Sequence, residues 1–193
     1  MISAVVLAAG RAETSSKLLA PLRGKPVLRR VLEAVAASRV DEVLCVVRDA
    51  AQCQENISMG GDRLLWLVDD NAGMGQSNVL IAGLWAVDPG TAGVLFISGE
   101  QAFLGRDLVD ALLDRFERNP TAIVAPSFQG QMRNPVLFPR ELFRELLEVK
   151  SDGIGREVIE RNRDRVALVP WHEEAPFLDL DHEENDERLS LLV

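Results

Sequence analysis

Soft metal ligands are scarce in this sequence, with two cysteines and two histidines among 193 residues. Cys45 and Cys53 form no C-x-x-C and no set with the histidines. That excludes the usual structural zinc sites and makes a reduced, cytoplasmic chain the expectation. Long apolar runs are missing too; none approaches the ~18–20 residues of a membrane span. The opening "MISAVVLAAG" lacks both a basic segment and a small-residue cleavage site, so it reads as a strand and not as a signal peptide. Positive charge is outweighed, 21 Lys+Arg against 30 Asp+Glu, for a formal net charge of −9. Such a field repels nucleic acid and anionic lipid, so anions can bind only where a local pocket supplies donors. Neither the Walker pattern GxxxxGK[ST] nor a Rossmann GxGxxG stands at the first turn, which weakens the ATPase and dehydrogenase readings.

What is present is the composition of an ordinary globular protein, 47% hydrophobic and 26% charged, long enough to bury the core of a single domain over residues 1–193. "SAVVLAA" is a continuous apolar run, as expected for a strand buried on both faces. Pro26 and the spacing of Leu28, Val31, Leu32 and Val35 predict a helix over 26–38. Further strands are expected at "EVLCVV", "RLLWLV", "GVLFIS", "TAIVAP", "NPVLF" and "VALVP". Helices are expected behind an N-cap at Ser77, over 106–117, over 140–148 and near 155–163, with a surface loop around 52–61. This alternation argues for an α/β fold with a mainly parallel sheet and right-handed crossovers. Ligands of such sheets sit beyond the carboxyl ends of the strands, so chemistry is sought just after each one.

After the first strand comes "AAGRAETSSK". Gly10 lets backbone N–H groups face a ligand, Thr14, Ser15 and Ser16 add hydroxyls, and Lys17 adds a point charge. A polar connection with one solvated lysine is the plainer alternative. After the third strand, "DDNAGMGQSN" sets Gly73 and Gly75 before the positive end of a helix, a donor-rich place for the polar groups of a nucleotide. After the fourth, "SGEQAF" places Glu100 directly behind a glycine, which suits a hard, oxygen-seeking cation such as Mg2+. Near the C-terminus, Asp179 and Asp181 of "FLDLDHEEND" stand two apart, on one side if extended, although the whole tail is acidic.

In this order the motifs "VVLAAG…K" with "L…GKPVL", "GMGQS", "SGEQ", "GQMRNPVLF", "SDGIGR" and "DLDHEEND" resemble the MobA-like NTP transferases. The similarity is closest to the molybdenum cofactor cytidylyltransferase branch and runs from about Val5 to Asp186. The resemblance implies a three-layer α/β/α Rossmann-like fold. It also implies transfer of a nucleoside monophosphate from an Mg2+-bound NTP to an acceptor phosphate, with pyrophosphate released. In that branch CTP and molybdopterin give the dinucleotide cofactor of molybdenum hydroxylases, and the double alanine of "LAAG", Ala8 and Ala9, leans towards CTP. By the same resemblance Gly10 and Lys17 would hold the β- and γ-phosphates, and Gly73, Gly75 and Ser77 would meet base and ribose. Glu100 with Asp179 or Asp181 would carry the metal, while Asn134, Asp152 and Arg156 would face the acceptor. His172 and His182 fall in no motif and are expected at the surface.

Three places depart from the family pattern. The first loop, "RAETSSK", is two residues short, lacks a second glycine and a matching arginine, and carries Glu13. Glu100 stands where relatives have aspartate, and Ile154 where a glycine is usual. A second reading therefore stands beside catalysis: a diverged, non-catalytic relative that binds a nucleotide or pterin and assists cofactor delivery. Transfer to another phosphorylated small molecule is a third.

Overall fold

The computed structural model describes residues 1–9, 12–59, 63–70, 75–150 and 153–178, with the backbone alone for 12–15. The first strand, β1 (Ile2–Leu7), is buried along its whole length. Ala4, Val6 and Ala8 enter one core while Val5, Leu7 and Ala9 enter the other. This alternation of faces is why the sequence reads as an unbroken apolar run. Parallel partners flank it: β4 (Glu42–Val47), with β5 (Leu64–Val68) beyond, and on the other side β6 (Gly93–Ser98). The sheet continues through β9 (Val136–Pro139), β7 (Ile123–Phe128) and β10 (Val166–Pro170). Its order is β10-β7-β9-β6-β1-β4-β5, with β8 (Gln131–Met132) pairing β7. β9 runs antiparallel to β6 and β7, and β8 antiparallel to β7; all other pairings in this sheet are parallel.

Helices cover both faces. On one lie α2 (Val27–Ala36), α3 (Ala50–Ile57) and α5 (Arg106–Arg118), which bury Val31, Ile57 and Leu112 in the first core. On the other lie α4 (Gln76–Ala86), α6 (Phe143–Leu146) and α7 (Arg156–Arg161), with Leu80, Leu146 and Val158 in the second. The expected mainly parallel α/β architecture is therefore present. Among the described residues no helix is long and apolar enough to cross a membrane.

Local expectations change in five places. The stretch from "AETSSKLL" is helix, α1 (Ala12–Leu19), and Lys17 lies in its last turn. Behind it a two-residue hairpin joins β2 (Pro21–Leu22) to β3 (Lys25–Pro26) through Arg23 and Gly24, both at positive φ, so α2 starts after Pro26. The expected surface loop at 52–61 is largely α3: the Asp49 side chain caps it by accepting from the Gln52 N–H at 2.9 Å, and Cys53 and Ile57 are buried one helical turn apart. Ser77 is not the cap of α4; Gly75 is, at φ 120°, and Ser77 is buried in the first turn. Finally, the helix expected over 140–148 is a 3-10 turn, Arg140–Leu142, followed by α6.

Candidate active site

From β1 the chain winds to one side through β4 and β5, then returns to the other side of β1 as β6. The carboxyl ends of β1 and β6 thus flank the point where the winding reverses, the place where open α/β sheets take ligands. Here the Gly99 N–H donates to Leu7 C=O at 3.0 Å. A Cβ on Gly99 would stand 3.1 Å from that oxygen and 3.2 Å from Ala8 Cβ, tighter than side chains ordinarily pack. The glycine lets the two strand ends close on each other. It brings Ala8 and half-buried Glu100 to one edge, although they are far apart in the chain. Glu100 is held in a tight turn, its N–H on Ser98 Oγ at 3.3 Å and its C=O accepting from Ala102 N–H at 2.8 Å.

Two helix ends frame this edge. α4 follows the carboxyl end of β5, so its positive end, at Gly75, lies at the same edge of the sheet. Positive φ at Gly75 is the conformation in which glycine alone is unstrained. α1 follows β1, and buried Leu18 faces a cavity of about 20 Å³ shared with Ala8, Leu28 and Cys53. That packing sets the helix phase and leaves Lys17 exposed. Burial pushes the Cys45 thiol well up, with Cys53 nearby a second cause. Burial and the charge of Asp49 raise that of Cys53. Neither thiol is poised as a nucleophile.

Of the residues expected to face an acceptor, Asn134 is half-buried, its peptide bond to Pro135 is cis, and its C=O accepts from Gln101 Nε2 at 3.1 Å. Arg156 opens α7, exposed, with Nε 3.2 Å from Glu160 Oε1. Ile154, at the position where the resemblance led to the expectation of a glycine, is buried in the second core. Its neighbour Gly155 has φ 63° and no room for a Cβ, which would meet Phe138 Cζ at 2.6 Å. His172 is exposed as expected. Gly10, Gly73, Asp152, Asp179, Asp181 and His182 lie outside the described residues. Among the described residues no three His, Cys, Asp or Glu side chains gather as a metal cluster. Glu100 is the hard oxygen donor at the strand end.

The sequence reading passed over Gln101. It is 2% exposed, and its Nε2 also donates to Pro176 C=O at 2.9 Å. It therefore joins the β6 end, the Asn134 segment and the 3-10 turn Ala175–Phe177, three residues short of Asp179 at the turn's centre. The "SGEQ" motif contained it, but a glutamine that bonds two backbone carbonyls leaves no pattern in sequence.

No curated protein matches the sequence closely enough to count as a relative. Among solved structures, the homologue of Rv0371c from Mycobacterium sp. strain JC1 is 26% identical, with TM-score 0.83 over 99% of this chain and 96% of that one. Rv0371c of Mycobacterium tuberculosis H37Rv in complex with manganese is 25% identical, with TM-score 0.80 over 100% and 99% of the two chains. A nucleotidyl transferase from Methanothermobacter (Mth528) shares the fold at 22% identity, with TM-score 0.80 over 98% and 95%. The MobA-like NTP transferase domain matches residues 4–166, a stretch that includes the paired strand ends, the Gly75 helix end and the Asn134 segment. The chain belongs to the MobA-like NTP transferase family, and its fold is that of a nucleotidyltransferase.

Proposed function

We propose that this protein is a cytoplasmic, single-domain, Mg2+-dependent nucleotidyltransferase that moves CMP from CTP to a phosphorylated acceptor, molybdopterin first among candidates, with a molybdenum hydroxylase as the downstream partner. The observation that supports the reading is the closure of Gly99 on Leu7 and Ala8, which brings Glu100 to the sheet edge where a phosphate loop after Ala9 would begin.

The acceptor phosphate is itself the nucleophile, so the protein has to position two anions and offset their repulsion. Backbone N–H groups after Ala8 and Ala9, with Lys17, would hold the β- and γ-phosphates. The Gly75 end of α4 would meet base and ribose, with Gly73 before it and Ser77 in its first turn. Asn134, Asp152 and Arg156 would face the acceptor. Glu100 fits a hard divalent cation by donor type, and Asp179 and Asp181 would be the remaining carboxylates; Gln101, next to Glu100, bonds Pro176 C=O at 2.9 Å, three residues before Asp179 in the chain. When bound, the cation neutralises charge on the triphosphate oxygens. The manganese in the Rv0371c complex supports a divalent ion as the cofactor.

A second reading, a non-catalytic relative that binds a nucleotide or pterin, draws on one observation. α1 begins at Ala12, two residues after Gly10, which leaves little loop to wrap a triphosphate. Pyrophosphate release measured with each NTP and Mg2+, with and without molybdopterin, separates the two. Release that requires CTP and molybdopterin is the expected outcome. Release with a different phosphorylated acceptor would move the substrate, and CTP binding without release under any condition would leave the non-catalytic relative.

A further inference from the structure

On one side the sheet ends in β5, and nothing in that strand guards the edge. Val43 N–H donates to Arg63 C=O at 2.8 Å, and Asp69 N–H to Val47 C=O at 3.0 Å. The odd positions from 63 to 69 therefore bond β4, while Leu64, Trp66 and Val68 turn their N–H and C=O groups outward. Those outward groups meet no partner among the described residues. Edge strands are ordinarily blunted by a charge, a proline, a bulge or brevity. The segment "LLWLV" has no charge, proline or glycine, and its five residues pair with β4 in unbroken register. The other edge strand, β10, ends in Pro170, which has no N–H to give.

The surface around this edge is apolar. Five large apolar side chains are exposed among the described residues, and two of them, Leu65 at 51% and Val68 at 48%, stand on opposite faces of β5. Leu65 lines a recess of about 230 Å³ with exposed Met1, Arg63, Asp88, Asp41 and Glu42. Exposed Trp85, in the last turn of α4 and three residues before Asp88, stands at the same corner. The fifth, Leu168, is on β10. Charge selects the occupant. With a formal net charge of −9, two copies of the chain repel over most of their surface, yet β5 itself is neutral. Arg63 precedes it and bonds two carbonyls, of Val40 at 3.1 Å and Ala36 at 2.8 Å, so no ion pair among the described residues cancels its charge. The carboxylates beside it are turned to the chain's own N–H groups, Asp41 to Ile2 at 2.7 Å, Glu42 to Asp88 at 3.2 Å and Asp88 to Gly90 at 2.6 Å. Asp69 and exposed Asp70 follow the strand. An antiparallel second copy sets the cationic end of each β5 beside the acidic end of the other, whereas a parallel partner sets like ends together.

We propose that β5 is a dimer interface, at which two copies of this chain join their sheets antiparallel about a two-fold axis at Trp66. In that register Trp66 pairs with the partner's Trp66 and Leu64 with the partner's Val68, each pair exchanging two N–H···O=C bonds. Leu65 faces the partner's Leu67, and Arg63 stands opposite the partner's Asp69. The sheet runs unbroken through both copies, and Leu65 and Val68 leave water. The inference uses none of the candidate site residues and stands apart from the transferase reading.

The test is sedimentation of the full chain over about 1–100 μM, a range suited to a reversible contact of modest size. The wild type is expected to pass from one copy to two across it. Leu65→Lys places a charge at the contact in both copies, so it counts twice and should raise the dimer dissociation constant by about a hundredfold. Because Leu65 is already half exposed in the single copy, the variant should keep the wild-type urea midpoint. Leu168→Lys, the same change on the other edge strand, should leave the dissociation constant unaltered. Hydrogen exchange followed by NMR needs no variant. In the dimer the amides of Leu64, Trp66 and Val68 should exchange about tenfold more slowly or less, while those of Leu65 and Leu67, which already bond β4, should change little. A single copy throughout the range would overturn the proposal and leave the edge to a different chain. Dissociation by Leu168→Lys but not by Leu65→Lys would overturn it too, as would a dimer whose three outward amides exchange as fast as in the single copy.

Discussion

Gly83 of α4 lies so close to Val5 of β1 that a Cβ added to it would come within 2.4 Å of Val5 Cγ1, and within 3.2 Å of Val46 Cγ2. The helix rides directly on the two central strands, and that contact sets where its Gly75 end falls relative to the strand ends. Alanine at position 83 would gain about 1 kcal/mol of helix propensity over glycine. Against that stands overpacking on stiff valine side chains, which costs about 1–3 kcal/mol and more where nothing can move. At 2.4 Å the clash wins. Gly83→Ala is expected to lower the urea midpoint and weaken nucleotide binding together; an unchanged midpoint would show that α4 can lift from the sheet at no cost.

Lys17 separates binding from stability. It is exposed in the last turn of α1, whereas its neighbour Leu18 is buried. Lys17→Ala should therefore change folding stability by no more than about 0.5 kcal/mol. It should weaken NTP binding by about 1.5–3 kcal/mol, the range of a charge-assisted hydrogen bond. CTP should bind better than GTP to the wild type. Calorimetry that returns the same NTP affinity for both proteins removes Lys17 from the site.

Glu100 tests the metal. Its carboxylate is one methylene longer than the aspartate that the family resemblance led one to expect, and Mg2+ tolerates little departure from octahedral geometry. Glu100→Asp is expected to keep or raise transferase activity, and Glu100→Gln nearly to abolish it. Turnover that survives Glu100→Gln unaltered would end the assignment of "SGEQ" to the active centre. Absence of turnover in all three forms would point to the non-catalytic relative.

A fourth expectation concerns acid. Glu33 of α2 accepts from Lys25 Nζ of the β2–β3 hairpin at 2.8 Å and from Arg29 Nε at 2.9 Å. The Lys25 bond, then the Arg29 bond, hold its carboxyl below the ordinary 4.5. A depressed carboxyl contributes stability at pH values above its unfolded pKa and loses it as pH falls through the folded one. The side chain is 34% exposed, so the contribution at neutral pH is expected to stay below about 1 kcal/mol. Urea midpoints of wild type and Glu33→Gln should differ slightly at pH 7 and converge well below 4.5. A gap that widens in acid would mean that the two bonds do not stabilise the charged form.

The parallel sheet, the two-sided burial of its first strand and the placing of motifs behind strand ends were legible in the sequence, because hydrophobic period and glycine punctuation are local signals. Gly75 and Glu100 could be singled out from them, while Ala8 and Asn134 rest on the resemblance of the ordered motifs to the family. What a linear reading missed depends on contacts distant in the chain. Polar "AETSSKLL" becomes helix with Leu18 as its buried anchor against Ala8 and Leu28. Residues 50–57 become helix through the Asp49 cap and the burial of Cys53 and Ile57. Ser77 looked like a cap by composition, yet Gly75 takes that place at positive φ while Ser77 turns inward. Gln101 is the clearest case. Its amide bonds the carbonyls of Asn134 and Pro176, 33 and 75 residues away, and its oxygen meets no donor among the described residues. Backbone carbonyls are the same in every residue, so no residue pattern announces such a bond; it exists once the strands have set three segments side by side.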